Sequence, residues 1–426
     1  MSEFTRRRFN QLVGTSGVMA ATSIAVLTIL KTTSPRIVVV GGGFGGATAA
    51  QYLKRFNPSL DVTLIEPNQS YSTCPFSNTV IAGMNDISFI TQSYDVIRGK
   101  GVNVVHDIAV DIDATKKQVT LSNGKCLAFD RCVVAPGIDF KFDSIEGNSE
   151  AITQKIPHAW KAGTQTLLLR KQLMAMPDGG VFLISPPSNP FRCPPGPAER
   201  ISLVANYFTE HKPKSKIIAL DPKKKFGKEG LFKEGWQKLY PGMIEYRNID
   251  EDGVVREVVA DKMMLVTDLD KVNGDVINLI PAQKAGAIAF SSGLTDKSGW
   301  CPVDQRTFES TIHKGVHVIG DASIASPMPK SGVSASSQGK VCAAAIVAML
   351  KGETPNTPKF INHCYSLLAP DYGISVAMVY GYDGKNITKI NGSGGLSPFG
   401  RDVDFREREA LYADGWYQSI TQNIWG

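Results

Sequence analysis

Residues 36–46 read Arg36-Ile37-Val38-Val39-Val40-Gly41-Gly42-Gly43-Phe44-Gly45-Gly46. The first five form a short β-branched run, the pattern of a strand buried on both faces of a parallel sheet. Gly41-x-Gly43-x-x-Gly46 follows without a gap. Ala47–Phe56 then reads as a helix that opens on small residues and ends before Pro58. The glycines permit a tight turn and a close approach of backbone to a pyrophosphate. The helix N-terminus adds unpaired N–H groups and the positive end of the helix dipole. A second strand, Val62–Ile65, ends in Glu66, an acid 20 residues after Gly46 that can accept from ribose hydroxyls. Strand, glycine turn, helix, strand and acid in this order predict a dinucleotide site in an α/β domain. Its expected members are Gly41, Gly43, Phe44, Gly46 and Glu66.

Two later segments choose the dinucleotide. Arg131-Cys132-Val133-Val134-Ala135-Pro136-Gly137 resembles the short strand and turn of flavoproteins with two dinucleotide-binding domains. Val316-His317-Val318-Ile319-Gly320-Asp321-Ala322 resembles their later strand, whose Gly-Asp ending hydrogen-bonds the ribityl chain of FAD. Pro327-Met328-Pro329-Lys330-Ser331-Gly332 comes next, then a small-residue helix over 333–350 whose N-terminus can stabilise negative charge on a reduced flavin ring. FAD is therefore the expected cofactor. Ala135, Gly137, Gly320, Asp321 and Lys330 join the expected site, with Lys330 near the pyrimidine edge of the ring.

A second strand–turn–helix–strand unit runs from Gly180–Ile184 through a helix at Ala198–Thr209 to Lys216–Leu220 and Asp221. This is the layout of a nicotinamide dinucleotide lobe. Its turn, residues 185–197, reads Ser-Pro-Pro-Ser-Asn-Pro-Phe-Arg-Cys-Pro-Pro-Gly-Pro. Proline has no N–H and a fixed φ, so the turn lacks the donors and freedom that a pyrophosphate cradle needs. The nicotinamide site is expected to be absent, and the same loop carries Cys193.

The chain has 426 residues, enough for two or three domains, with ordinary globular composition. Its net charge is +6. Residues 1–31 carry four basic side chains (Arg6, Arg7, Arg8, Lys31) and one acidic (Glu3), a net +3 that leaves +3 for everything else. That is too mild a bias for nucleic-acid binding. Thr5-Arg6-Arg7-Arg8-Phe9 followed by an apolar stretch resembles a twin-arginine export signal, which predicts a periplasmic protein. Seven cysteines, at 74, 126, 132, 193, 301, 342 and 364, include no C-x-x-C and no haem-attachment motif. The six histidines show no metal-ligand spacing, and no metal is expected.

Five strings carry a resemblance over nearly all of the chain after the signal. They are Tyr71-Ser72-Thr73-Cys74-Pro75, Arg192-Cys193-Pro194-Pro195-Gly196-Pro197, Trp300-Cys301-Pro302-Val303-Asp304, Pro327–Gly332 and Asn362-His363-Cys364-Tyr365-Ser366. The sequence resembles the flavoprotein subunit of flavocytochrome c sulfide dehydrogenase. The resemblance implies that Cys74 attaches covalently to the flavin 8α-methyl carbon. It implies that Cys193 and Cys364, 171 residues apart, form a redox-active disulfide opened by sulfide, and that Glu199 serves as its acid/base. It also implies a c-type cytochrome subunit as partner and electron acceptor.

The expected architecture is α/β: two Rossmann-like domains and a C-terminal α+β domain. The predicted boundaries are an export signal at 1–33, an FAD domain at 34–140 and 285–350, a nicotinamide-type lobe at 141–284 and a C-terminal domain at 351–426. Its aromatics Trp416, Tyr417 and Trp425 are expected to fill its core. Two rival readings accompany the leading one: a sulfide:quinone reductase, and a non-catalytic flavin electron carrier. Seven charges in the tail (Arg401, Asp402, Asp404, Arg406, Glu407, Arg408, Glu409) argue against the membrane-facing surface that the quinone reading needs.

Overall fold

The β-branched run at the start of the dinucleotide motif forms β1 (Arg36–Val40), with Ile37 to Val40 buried. It leads through the glycine turn into α1 (Phe44–Phe56). The helix begins three residues earlier than predicted, because the second half of the glycine string is already helical. The lobe continues with β2 (Asp61–Ile65), β3 (Asn103–Val105) and β4 (Arg131–Val134). The second unit comprises β5 (Val181–Ser185), α2 (Gly196–His211), β6 (Lys216–Leu220), β7 (Ile244–Arg247) and β8 (Val276–Leu279). The chain then returns to the first lobe with β9 (Val316–Val318) and α3 (Gly332–Leu350). It closes with a long hairpin, β10 (Phe360–Ala369) and β11 (Tyr372–Tyr382), and a final helix, α4 (Val403–Trp425).

This computed structural model describes residues 34–426; the predicted export signal at 1–33 lies outside them. Pro35–Gly426 form one compact unit. Its two principal sheets are parallel. The first runs β9-β4-β1-β2-β3 and the second β7-β6-β5-β8. In the first sheet β1 lies between β2, which follows it in sequence, and β4, which arrives later. The order reverses there, and the crevice beyond the carboxyl ends of strands at such a reversal is where α/β sheets bind ligands. The glycine turn and the Gly320–Asp321 turn both lie at that end. The return of β9 and α3 makes the first lobe discontinuous in sequence.

The C-terminal region departs furthest from the sequence reading. Residues 374–380 belong to the β10–β11 hairpin, and Ile387–Lys389 form a short strand beside it. The aromatic tail is the 23-residue helix α4, capped by Asp402, whose side chain accepts from the Phe405 N–H. Tyr417 and Trp425 are buried, but they do not simply fill a separate core. Trp425 stacks on Tyr71 (5.2 Å between centroids) and meets Phe44 edge-on, so the tail packs into the first lobe.

Candidate functional site

The three turns and the hairpin converge on one cavity of about 890 Å³. Gly41, Gly43, Phe44 and Glu66 line it from the first turn. Ala135 and Gly137 line it from the end of β4, and Gly320 and Asp321 from the end of β9. Cys74, Cys193, Glu199 and Cys364 complete this set. Gly46 sits behind the turn instead. A Cβ there would come within 1.8 Å of the Gly41 oxygen, so only glycine lets the helix start this close to the turn. Gly41 itself has φ +95°, and a Cβ on it would meet the Ala135 oxygen at 2.4 Å. Glu66 accepts the Gly42 N–H (2.9 Å) through one oxygen and both the backbone and side-chain N–H of Asn68 through the other.

These residues fit FAD on an observation independent of sequence. Asp321 is buried, and its Oδ1 has no hydrogen-bond partner. Burial pushes its pKa up, opposed by Arg192 and Lys330. An unpaired buried carboxylate oxygen costs free energy unless something polar meets it. A ribityl hydroxyl, at the mouth of a Gly-Asp turn, is such a group. Lys330 is placed differently from the expectation. It is absent from the cavity wall; its ammonium donates to Asp321 O (2.6 Å) and Ser323 O (3.1 Å) and lies 3.7 Å from the centre of the Trp300 ring. Its backbone oxygen accepts the Cys193 N–H at 2.8 Å. Lys330 thus fixes the Asp321 turn and the Cys193 turn to each other.

The sulfur side of the cavity is built from three separate segments. Cys74 follows the strand Ser70–Ser72 and lies 3.8 Å from the Trp160 oxygen. Cys193 sits in the proline-rich turn with φ +59°, a left-handed conformation that a non-glycine residue adopts only when its surroundings impose it. Cys364 lies in β10. Burial raises the pKa of the Cys193 thiol, and the charges of Cys364, Glu199 and Cys74 add to this, so all four groups share one electrostatic neighbourhood. The seven cysteines are unbridged in this structure.

Glu199, in the first turn of α2, joins these segments. One oxygen accepts the Asn78 side-chain N–H (2.7 Å), four residues past Cys74; the other accepts the Leu367 N–H (3.0 Å), three residues past Cys364. The carboxyl faces the cavity, yet protein atoms surround it, and burial raises its pKa against the lowering pull of these donors, Lys228 and Arg200. Arg200 is fully buried and holds Asn78 Oδ1 (3.0 Å) and Asn278 Oδ1 (2.8 Å).

Several members of this site escaped sequence reasoning. Arg192 and Asn362 lie inside strings singled out above, where the cysteines drew the attention. Asn78 and Lys228 carry no local signal at all. Arg192 lines the cavity, donates to the Trp160 oxygen, and keeps a buried Nε without a partner.

In the second lobe the proline turn contains six prolines in thirteen residues. Asp221, at the position of a ribose-binding acid, is buried and already engaged: Lys223 Nζ lies 2.6 Å away and Tyr246 OH donates at 2.7 Å. Lys223 also reaches the Pro187 oxygen (2.8 Å), inside the turn itself. In the run Lys223-Lys224-Lys225 the first member is therefore buried despite its charge. Two of the seven tail charges are likewise turned inward. Arg406 and Glu409 are buried and pair at 3.2 Å, with Arg406 also near Glu234. Cys132, Cys301 and Cys342 are packed in the core, whereas Cys126 is exposed.

Two parallel sheets and a glycine turn at the switch point, with cysteines lining the same cavity, define a two-lobed flavin-dependent oxidoreductase. The comparisons agree. Residues 35–172 match the pyridine nucleotide-disulphide oxidoreductase family model, residues 166–281 the central region of the sulfide dehydrogenase (flavocytochrome c) flavoprotein chain, and residues 356–425 the flavocytochrome c sulphide dehydrogenase flavin-binding region. A 45-residue stretch, 11% of this chain, is 62% identical to the sulfide dehydrogenase (flavocytochrome c) flavoprotein chain of Chlorobaculum thiosulfatiphilum and covers 94% of that sequence. The mitochondrial sulfide:quinone oxidoreductase of Mus musculus is 23% identical over 329 residues, 75% of this chain and 72% of the relative. The sulfide:quinone oxidoreductase structure from Aquifex aeolicus has the same fold, with a TM-score of 0.70, 16% identity and 92% coverage of both chains. The chain belongs to the flavocytochrome c sulfide dehydrogenase flavoprotein family, a branch of sulfide-oxidising flavoproteins that bind FAD.

Proposed function

We propose that this protein oxidises sulfide through a Cys193–Cys364 disulfide, holds its FAD covalently through Cys74, and delivers electrons to a c-type cytochrome subunit in the periplasm. One observation carries the reading: cysteines from three distant segments line the cavity that the dinucleotide motif opens, with Glu199 hydrogen-bonded to two of the segments. FAD, when bound, supplies an acceptor that takes two electrons and releases them singly.

The chain's own residues do the rest. Hydrosulfide attacks one sulfur of the disulfide; a persulfide forms there and the other sulfur leaves as thiolate. Glu199, with its raised pKa, holds or takes the proton that sulfide or thiol brings. A carboxyl with a raised pKa is charged only above that raised value, so sulfide turnover should lose its base as the pH falls. Arg192 offers a fixed positive charge near Cys74, Asp321 and Cys193. The NADH route is disfavoured by the proline turn and by the Asp221–Lys223 pair.

The quinone reading has specific support in the sulfide:quinone relatives, which match most of the chain. The inward-facing Arg406–Glu409 pair also removes part of the charge argument against it. Val403, Leu411 and Tyr412 of α4 are exposed. Among the described residues one helix, Gly332–Leu350, is long and apolar enough to cross a membrane, and it is the mostly buried α3.

One set of measurements separates the readings. Flavin that stays with the denatured polypeptide, and is lost in Cys74→Ser, supports the covalent link. Anaerobic bleaching by sulfide that disappears in Cys193→Ser supports the disulfide; bleaching that survives it overturns that step. Reoxidation by cytochrome c but not by a soluble ubiquinone analogue supports the cytochrome acceptor, and the reverse favours the quinone. A protein that binds flavin but never bleaches with sulfide is an electron carrier.

A further inference from the structure

One buried cation has no task in the chemistry above. Lys228 stands at the N-terminal boundary of the helix Glu229–Leu239, with φ +63°. It is 7% exposed, and its ammonium donates to Ser366 Oγ at 2.8 Å, with Ile374 O at 3.4 Å and Cys364 O at 3.5 Å. All three partners are neutral oxygens. Burying a cation among neutral groups is costly unless an anion forms nearby.

Besides the carboxylates of Glu199 and Glu409, the strand geometry offers a sulfur for that role. Asn362, Cys364 and Ser366 alternate along β10, so their side chains leave on one face. Asn362 Oδ1 accepts from Ser331 Oγ (2.5 Å) and Ser334 Oγ (3.2 Å), and both its Oδ1 and its NH2 lie 3.7 Å from Cys364 Sγ, so the amide accepts from a thiol and donates to a thiolate. Cys364 therefore lies between an amide donor and the hydroxyl that holds the ammonium. The Glu199 carboxylate opposes charge on both sulfurs; the cation that lowers Cys193 is Arg192, whereas for Cys364 it is Lys228. The titratable groups that bear on Lys228 are Cys364 of β10, Cys193 of the proline turn, Glu199 of α2 and Glu409 of α4. Burial brings the Lys228 pKa down to about 8, and these four oppose the fall, Cys364 most strongly. Burial raises the Cys364 thiol, and Lys228 is the leading influence that lowers it again.

We infer that Lys228 is the positioning residue that makes Cys364, and not Cys193, the charge-bearing sulfur of the pair. The inference rests on the reading that the two cysteines form a redox disulfide. In the exchange step hydrosulfide forms a bond to Cys193 Sγ, the Cys193–Cys364 bond breaks, and its electron pair leaves on Cys364 as thiolate. The hydrosulfide proton stays on the new Cys193 persulfide, so charge and atoms balance. A better-stabilised thiolate is the better leaving group.

The test is alkylation of the reduced holoprotein with iodoacetamide from pH 6 to 10, with each cysteine followed by peptide mass mapping. In wild type Cys364 should react at lower pH than Cys193. Lys228→Met should slow Cys364 at pH 7 by roughly tenfold, the effect of losing one close cation, and slow Cys193 much less. Lys228→Arg should restore most of the rate. An unchanged Cys364 profile in Lys228→Met overturns the inference, and so does an equal slowing at both cysteines. If Lys228→Met yields no folded protein, wild type decides alone: Cys193 reacting first at every pH overturns it. A separate digest of unreduced protein tests the underlying disulfide. Failure to find the linked Cys193–Cys364 peptide sinks that reading and leaves the labelling result standing.

Discussion

The two lobes use the same strand–turn–helix–strand scaffold for different ends. In the first, β1 runs into a turn of glycines, Gly46 packs on the Gly41 oxygen, and Glu66 faces the cavity. In the second, β5 runs into a turn rich in proline, and Asp221, the matching acid, is neutralised by Lys223 and Tyr246. The first turn exposes backbone donors; the second removes them and presents a cysteine. The folds of the turns, and not the sheets beneath them, decide what each lobe holds.

The comparison breaks most visibly at Gly46. Gly46→Ala puts a methyl group 1.8 Å from the Gly41 oxygen, a clash between two backbone segments that no rotamer change relieves. The expected outcome is complete loss of bound flavin, read from the absorbance of the purified protein. Next in size is the converse substitution. Cys193→Ser should retain full flavin while sulfide bleaching falls to background. If Gly46→Ala kept its flavin, or Cys193→Ser lost it, the division of labour between the turns would be wrong.

Lys223→Met probes the second lobe directly. Removing one member of a buried ion pair strands the other, at a cost of about 3 kcal/mol, so the melting temperature should fall measurably. Freeing Asp221 should still not give bleaching by NADH, because the proline turn offers too few N–H groups. NADH bleaching in wild type or variant would mean that the second lobe keeps a nicotinamide site.

The contrast between the lobes was legible in the sequence because turns are local. Glycine and proline act through the backbone at their own positions, so Gly41–Gly46 and residues 185–197 declare themselves without a structure. The sheets were legible for the same reason, as β-branched runs. Long-range placement was not. Nothing local joins Cys193 to Cys364 across 171 residues; family resemblance suggested the pair, and only folding puts both on one cavity. Lys228 gave no signal because its role depends on β10, more than 130 residues away. Arg406, Glu409 and Lys223 are buried, although charge usually is solvated, because each has a charged partner: Arg406 and Glu409 pair within one helix, Arg406 also meets Glu234, and Lys223 pairs with Asp221. The helix α4 was missed because its aromatics answer to Tyr71 and Phe44 of the first lobe, so its apolar face follows the surface it covers.

The smallest expected effect sharpens the first lobe. Asp321 Oδ1 is buried without a partner, and burial raises the pKa of the carboxyl. A group that binds its proton more tightly folded than unfolded destabilises the fold as the pH rises above the unfolded value of about 4. At pH 7 the flavin-free protein therefore carries that cost, and a ribityl hydroxyl donating to the carboxylate offsets it on binding. In a Cys74→Ser background, where flavin can leave, Asp321→Asn should raise the melting temperature of the flavin-free form at pH 7 and leave it nearly unchanged at pH 4. It should also weaken flavin binding by about 1.5 kcal/mol, roughly tenfold, since the amide is a poorer acceptor than a carboxylate. A stabilised apo form with undiminished flavin affinity would show that Asp321 does not meet the cofactor; a destabilised apo form would show that its charge is already compensated within the protein, by Arg192 or Lys330.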